Sequence, residues 1–301
     1  MSHAADSPFS RPAPMRIGAR TFAWGERTYV MGIVNVTPDS FSGDGLLTGR
    51  SADVVADAVA QSRTMAAEGA DLLDVGGEST RPGHVEVAED EELRRVVPVI
   101  AAIRQTLPEM PISVDTTKPA VAEAALAAGA DLVNDVWAVA PDDSLPRVAA
   151  AHAAPLVLMH NRAEPRYEDL VAEVIADLQA AIERAVGAGV AREQLIVDPG
   201  FGFGKTPEHN VAILAALGEL RVLGRPILLG TSRKSTLGRI LDLPADQRLE
   251  ATLATTALGI AAGADVVRVH DVRANVRVAR TADAIIRGTW RSSQSVEGGP
   301  T

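Results

Sequence analysis

Cysteine is absent from the 301 residues. That excludes disulfide frameworks, thiolate zinc sites and cysteine nucleophiles together, and it suits a reducing cytoplasm, the expected location. Any metal must be held by oxygen or nitrogen. Long apolar runs are missing too: although 47% of the chain is hydrophobic, no run approaches the roughly 18 residues needed to span a bilayer, and the N-terminus lacks an apolar export core. There is no excess of positive charge. Lys and Arg total 29 against 39 Asp and Glu, a formal charge of −10, which argues against general affinity for nucleic acid or anionic membrane, since both need clustered cations. An anionic small substrate would need a local basic pocket.

The ends lack periodicity. Residues 1–14 and 291–301, rich in Ser, Pro, Ala and Gly, are expected to be mobile tails flanking a single domain over 15–290. Inside it, helix-period stretches alternate with short apolar runs, the pattern of parallel strands with crossover helices. One junction recurs: Gly69-Ala70-Asp71, Gly129-Ala130-Asp131 and Gly263-Ala264-Asp265 each end an Ala-rich stretch and precede an apolar run. Glycine ends the helix and the strand follows. Eight candidate strands result, at Val30 to Val36, Leu72 to Val75, Ile112 to Asp115, Leu132 to Asn134, Leu156 to His160, Leu195 to Asp198, Ile227 to Gly230 and Val266 to Val269. Eight is the number of a (β/α)₈ TIM barrel, which commonly occupies about 250 residues. A doubly wound open sheet is the alternative. The first helix pattern, with Val55, Val59 and Met65/Ala66 on one face, suits packing outside a barrel.

Polar residues sharpen the choice. Asn35, Asp74, Asp115, Asn134, His160, Asp198, Arg268 and His270 all fall at or just past the C-terminal ends of these strands. In a barrel those ends converge on one face, where active sites are built. Individually Asp115, Asn134 and Asp198 read as helix caps or Asx turns. Together they offer the donors and acceptors that a heterocycle with amidine and amide edges requires. Gly76-Gly77 followed by Arg81 lets the backbone approach a ligand and adds a forked donor for phosphate or carboxylate. The stretch Asn35 to Gly45 has the length of a loop that closes over a ligand. Gly200 to Thr206 mimics a P-loop, but the spacing requires glycine where Pro199 stands. A nucleoside triphosphate site is rejected; Phe201 and Phe203, two of five phenylalanines, suit ligand stacking or rim packing. Thr231-Ser232-Arg233-Lys234-Ser235 opens a helix with hydroxyls and cations, favourable to an anion. Arg268 and His270 alternate onto one face of an otherwise apolar strand, costly unless they bind something. His160 reads either as a ligand or as a rim histidine satisfied by backbone.

The motifs NVTPDSFS, DVGGESTRPG, SVDT, NDVW, LMH, DPGFGFGK, GTSRKS and RVHDV, in this order, resemble the dihydropteroate synthases over roughly residues 28–290. The resemblance implies condensation of 6-hydroxymethyl-7,8-dihydropterin diphosphate with p-aminobenzoate in folate synthesis, and a homodimer. Carried over, Asp115, Asn134, Met159, Asp198, Phe203, Gly230, Lys234 and Arg268 bind the pterin, while Asn35, Arg81, Arg268 and His270 take the diphosphate, with Mg²⁺ bridging its oxygens and Asn35. Phe41, Thr80, Pro82, Ser232 and Lys234 shape the p-aminobenzoate site. Asp115, Lys234, Arg268 and His270 carry the catalytic roles, Asp115 stabilising a cationic pterin methylene. The chain departs from the family in an extra Gly43 with Leu46 to Gly49, and in a short segment after His160. A pterin-dependent methyltransferase and a catalytically silent pterin-binding paralogue are the alternatives. Retention of Arg81, Ser232-Arg233-Lys234 and the Arg268/His270 pair favours the synthase, because a diphosphate leaving group needs cations and a methyl donor does not.

Overall fold

The computed structural model describes residues 11–36, 54–78, 87–138, 140–142 and 144–290. A short antiparallel hairpin, β1 (Met15–Ile17) and β2 (Arg20–Phe22), precedes eight parallel strands. These are β3 (Tyr29–Asn35), β4 (Leu72–Gly76), β5 (Ile112–Asp115), β6 (Leu132–Asp135), β7 (Leu156–Met159), β8 (Leu195–Asp198), β9 (Leu228–Leu229) and β10 (Val266–Val269). Their spatial order is β8-β7-β6-β5-β4-β3-β10-β9. The ends of that order meet where Val197 bridges Ile227 and Val197 N–H donates to Pro226 O at 2.9 Å. The sheet is therefore a ring, the expected (β/α)₈ barrel, and the open sheet is excluded.

The repeated Gly-Ala-Asp junction does more than end helices. Gly69, Gly129 and Gly263 have φ of +102°, +113° and +103°, which other residues adopt only under strain. The aspartate that follows then reaches sideways to the start of a neighbouring strand. Asp71 accepts from Val30 N–H at 2.9 Å, Asp131 from Ile112 N–H at 2.9 Å, and Asp265 from Ile227 N–H at 3.0 Å. Arg27 and Arg104 neutralise Asp71 and Asp131. Three residues thus end a helix, begin a strand and pin its neighbour's register.

Helices lie outside, between the strands. Helix Val54–Glu68 packs Met65, with Val55, Val59 and Ala66 beside it, as its pattern implies. Its buried stripe also takes in Ser62, whose hydroxyl donates to Ala58 O at 2.7 Å and so enters the core satisfied. The segment after His160 is loop to Asp169, which caps helix Leu170–Gly187 by accepting from Ala172 N–H. No helix among the described residues is long and apolar enough to cross a membrane.

The interior is layered. At the N-terminal end Tyr29, Met31, Leu72, Leu132, Val157, Ile196, Leu228 and Val266 of the strands pack against Met15, Ile17, Phe22 and Trp24 of the hairpin segment. The hairpin plugs that end of the barrel; the sequence reading holds no strand there. Because side chains alternate across a strand, the next interior position lies two residues on. There the strands present Ile33, Asp74, Asn134, Met159, Asp198, Gly230 and Arg268, and the residues between them, such as Leu73, Val133, Val197 and Val267, pack outward under the helices.

Candidate active site at the C-terminal mouth

Arg268 is the centre of this polar layer. Its Nε donates to Asp74 Oδ2 at 2.5 Å and its Nη2 to Asp115 Oδ2 at 2.6 Å. Asn134 Nδ2 donates to the same Asp74 oxygen at 3.1 Å. Asp74, Asp115 and Asn134 are all buried. Four strands, β4, β5, β6 and β10, thereby supply one connected charge network. Among the described residues Asp74 Oδ1 and Asp115 Oδ1 are buried with no hydrogen-bond partner, so each has acceptor capacity for a ligand N–H.

On the opposite wall, Asp198 Oδ1 accepts from Gly200 N–H at 2.7 Å, which holds the carboxylate at the foot of the Gly200 to Lys205 turn. Lys234, at the start of helix Ser235–Leu241, sends its ammonium to Phe201 O and lies 4.4 Å over the Phe203 ring. Gly230 faces the same space: a side chain there would meet Arg268 and Lys234 within 4.0 Å. Beside Asp115 and Phe203 opens a cavity of about 570 Å³, walled also by Asn161, Val136 and Trp137, within the size range of small-molecule sites.

The charges are tuned by burial. Desolvation pushes Asp115 up to about 7, with Arg268 opposing and Asp74 and Glu92 reinforcing. It raises Asp198 as well, against Lys234. It lowers Lys234 to about 8, against Asp198. Burial also works against the Arg268 charge, but Asp74 and Asp115 outweigh it and hold the guanidinium above its ordinary value.

Of the remaining expected residues, Asn35 ends β3 beside Gly76 of β4. His270 follows β10 and bonds Ser232 through Nδ1 at 2.9 Å, while His270 N–H donates to the Ser232 hydroxyl at 3.2 Å. Met159 ends β7 paired with Asp198. Phe41, Thr80, Arg81 and Pro82 lie outside the described residues, as do the loop insertion at Gly43 to Gly49 and the tail segments 1–10 and 291–301.

Three features escape sequence reasoning. Asp74 reads there as a strand-end residue without a role, yet it anchors Arg268. Lys118 Nζ bridges Glu78 at 2.5 Å and the buried Glu92 at 2.6 Å, a contact between three elements that no local pattern signals. His160, fully buried, bonds Lys205 through Nδ1 at 2.9 Å and Asp177 through Nε2 at 3.1 Å. Strand-end polarity is the available signal for Asp74, since Asp74 and Arg268 share the interior parity of their strands.

Fold and site together define a barrel enzyme for a flat, hydrogen-bonding heterocycle that carries an anionic group. The pterin binding enzyme family matches residues 31–270. A dihydropteroate synthase of Clostridium beijerinckii is 50% identical over 274 residues, spanning 91% of this chain and 100% of the relative. The crystal structure of a Clostridium difficile dihydropteroate synthase in the presence of pteroic acid superposes with a TM-score of 0.84 at 48% identity, covering 88% of this chain and 99% of that one. That of Xanthomonas albilineans in complex with 7,8-dihydropteroate gives 0.82 at 42% identity, covering 90% and 98%. The chain belongs to the dihydropteroate synthases.

Proposed function

We propose that the chain condenses 6-hydroxymethyl-7,8-dihydropterin diphosphate with p-aminobenzoate, releasing diphosphate and forming 7,8-dihydropteroate for folate synthesis. The observation that carries this reading is the single interior layer in which Asp74, Asp115, Asn134, Asp198, Lys234 and Arg268 share one space. Asp115, Asn134 and Asp198 take the N–H edges of the pterin, and Lys234 donates to a ring acceptor. The planar Arg268 guanidinium, held flat by two carboxylates, stacks on the ring; Met159, Phe203 and Gly230 line it. Asn35, Arg81, Arg268 and His270 receive the diphosphate, and Phe41, Thr80, Pro82, Ser232 and Lys234 the p-aminobenzoate.

In the reaction the bond between the pterin methylene carbon and diphosphate breaks, the pair leaving with the oxygen. The arylamine nitrogen then donates its lone pair to that carbon and sheds a proton. No protein nucleophile is needed, so catalysis is positional and electrostatic. Asp115 stabilises the cationic methylene, and Arg268 with His270 stabilises the departing anion. The residues fit a magnesium ion. Among the described residues no group of three or more His, Asp or Glu side chains could hold a metal, and Asn35, at the end of β3, would offer it a neutral amide oxygen. Mg²⁺ characteristically completes its shell from water and substrate phosphate; bound here it would neutralise charge on the leaving group. A homodimer belongs to the same reading; Ile240, Leu258 and Ile285, exposed by 61%, 62% and 77%, are apolar side chains available for it.

The test is a coupled assay for diphosphate release with and without p-aminobenzoate and Mg²⁺. Release dependent on both is expected. Binding of the pterin diphosphate without p-aminobenzoate-dependent release would overturn the reading in favour of a silent binder.

A further inference from the structure

The Lys205–His160 pair lies behind the pterin wall, and the mechanism above does not use it. Lys205 is partly buried, with its ammonium turned onto His160 Nδ1 at 2.9 Å and onto Phe203 O at 3.2 Å. An ammonium can only donate, so Nδ1 of His160 is the acceptor and its Nε2–H donates to Asp177 Oδ2 at 3.1 Å. Arg162 holds Asp177 in turn through Nε at 2.9 Å and Nη2 at 2.7 Å. The backbone closes the same unit: His160 N–H donates to Asp198 O at 2.9 Å, and Phe203 N–H to Gly200 O at 3.0 Å.

We propose that Lys205 is a positioning residue for the pterin pocket: tethered by neutral His160, it fixes the Gly200 to Phe203 turn and backs the Asp198 carboxylate with a positive charge. The turn carries Asp198 at one end and Phe203 at the other, so one ammonium sets both a hydrogen-bonding group and a ring of the pterin wall. Burial, with Lys205 next, drives His160 down to about 4, which keeps it an acceptor across the working pH range. The cations facing Asp198 are Lys234, Arg268 and Lys205; burial lowers Lys205 to about 7, with Asp198 and Asp177 opposing and Lys234 and Arg162 reinforcing, so its charge backs Asp198 on the acid side of the profile, where Asp198 protonates. Losing Lys205 therefore leaves Asp198 with less positive potential, and its carboxylate protonates more readily. The inference rests on the synthase reading.

Lys205→Met keeps the stem and removes the charge. In the full-length protein it is expected to raise KM for the pterin diphosphate about tenfold, to leave KM for p-aminobenzoate within about twofold, and to move the acid limb of kcat/KM upward in pH. His160→Gln, which can still accept from Lys205 and donate to Asp177, should stay near wild type, whereas His160→Leu should behave like Lys205→Met. Unchanged pterin KM and acid limb in Lys205→Met overturns the proposal, as does an equal rise in both KM values. If Lys205→Met does not fold, the two His160 variants decide, and equal pterin KM in them overturns it. Wild-type turnover in the same assays shows separately whether the synthase reading stands.

Discussion

Asp74→Asn isolates the residue on which the polar layer depends. Asp74 is fully buried, and its Oδ2 receives both Arg268 Nε at 2.5 Å and Asn134 Nδ2 at 3.1 Å. Asparagine keeps the shape and leaves one carbonyl oxygen to accept, but removes the charge. Hydrogen bonds to charged groups contribute about 1.5–3 kcal/mol and neutral ones about 1 kcal/mol. The loss is therefore ~1–2 kcal/mol, below the ~3–5 kcal/mol of deleting one partner of a buried pair, because Asp115 still neutralises Arg268. At ~2–4 °C per kcal/mol for domains of somewhat smaller size, the melting temperature should fall by roughly 2–8 °C. Arg268 freed at Nε stacks less firmly, and pterin affinity should fall ~5–30-fold, the equivalent of that energy. The sign of a second effect also follows. Asp74 helps to raise Asp115, so a neutral amide in its place lets Asp115 ionise at lower pH, and the acid limb of kcat/KM should move down. Thermal melts, calorimetric pterin titration and the pH profile test all three. Wild-type melting and affinity, or an acid limb that moves up, would refute the reasoning.

Four further outcomes are expected. Asp115→Asn should fold normally and lower kcat/KM at least ~10-fold; wild-type turnover would remove Asp115 from the mechanism. Because Asp115 lies at about 7 and must be ionised, and Lys234 lies at about 8 and must be protonated, activity should fall as pH drops below 7 and again as it rises above 8; a flat profile across that range contradicts this. Gly200→Ala would drive a Cβ into His160 O at φ +69°, so a loss of at least ~2 kcal/mol is expected in urea unfolding, and an unchanged midpoint sinks the close-approach argument. Chelation should abolish p-aminobenzoate-dependent turnover without shifting the melting temperature if Mg²⁺ is held as proposed, by substrate, water and Asn35; a large drop in melting temperature would reveal a structural metal instead.

How much is legible in the sequence follows from distance along the chain. The eight parallel strands and the convergence of Asp115, Asn134, Asp198 and Arg268 are readable because alternation and the Gly-Ala-Asp junction are local. The hairpin is not, since three-residue strands such as Met15–Ile17 are too short to show a period. Asp74's partner lies 194 positions away on β10, so only the closed ring brings them together. Lys205 reads as part of a false P-loop and has no role once that reading falls. Asp177, which holds its partner His160, sits within an amphipathic helix, where a carboxylate reads as solvated surface.

The junction that betrays the fold also governs the site. A one-residue slip of β4 or β10 would turn Asp74 or Arg268 outward to where Leu73 and Val267 now pack beneath the helices, and bring those side chains into the polar layer. Period-two packing penalises that slip, and the junction aspartates add a polar lock. Asp71 couples the start of β4 to Val30 of β3, Asp131 couples β6 to Ile112 of β5, and Asp265 couples β10 to Ile227 ahead of β9. Each bond is a charge-assisted contact at the plugged end, below the polar layer. Registry set at the stable end is thereby transmitted along stiff strands to the mouth, where Arg268 must meet two carboxylates from two other strands at once.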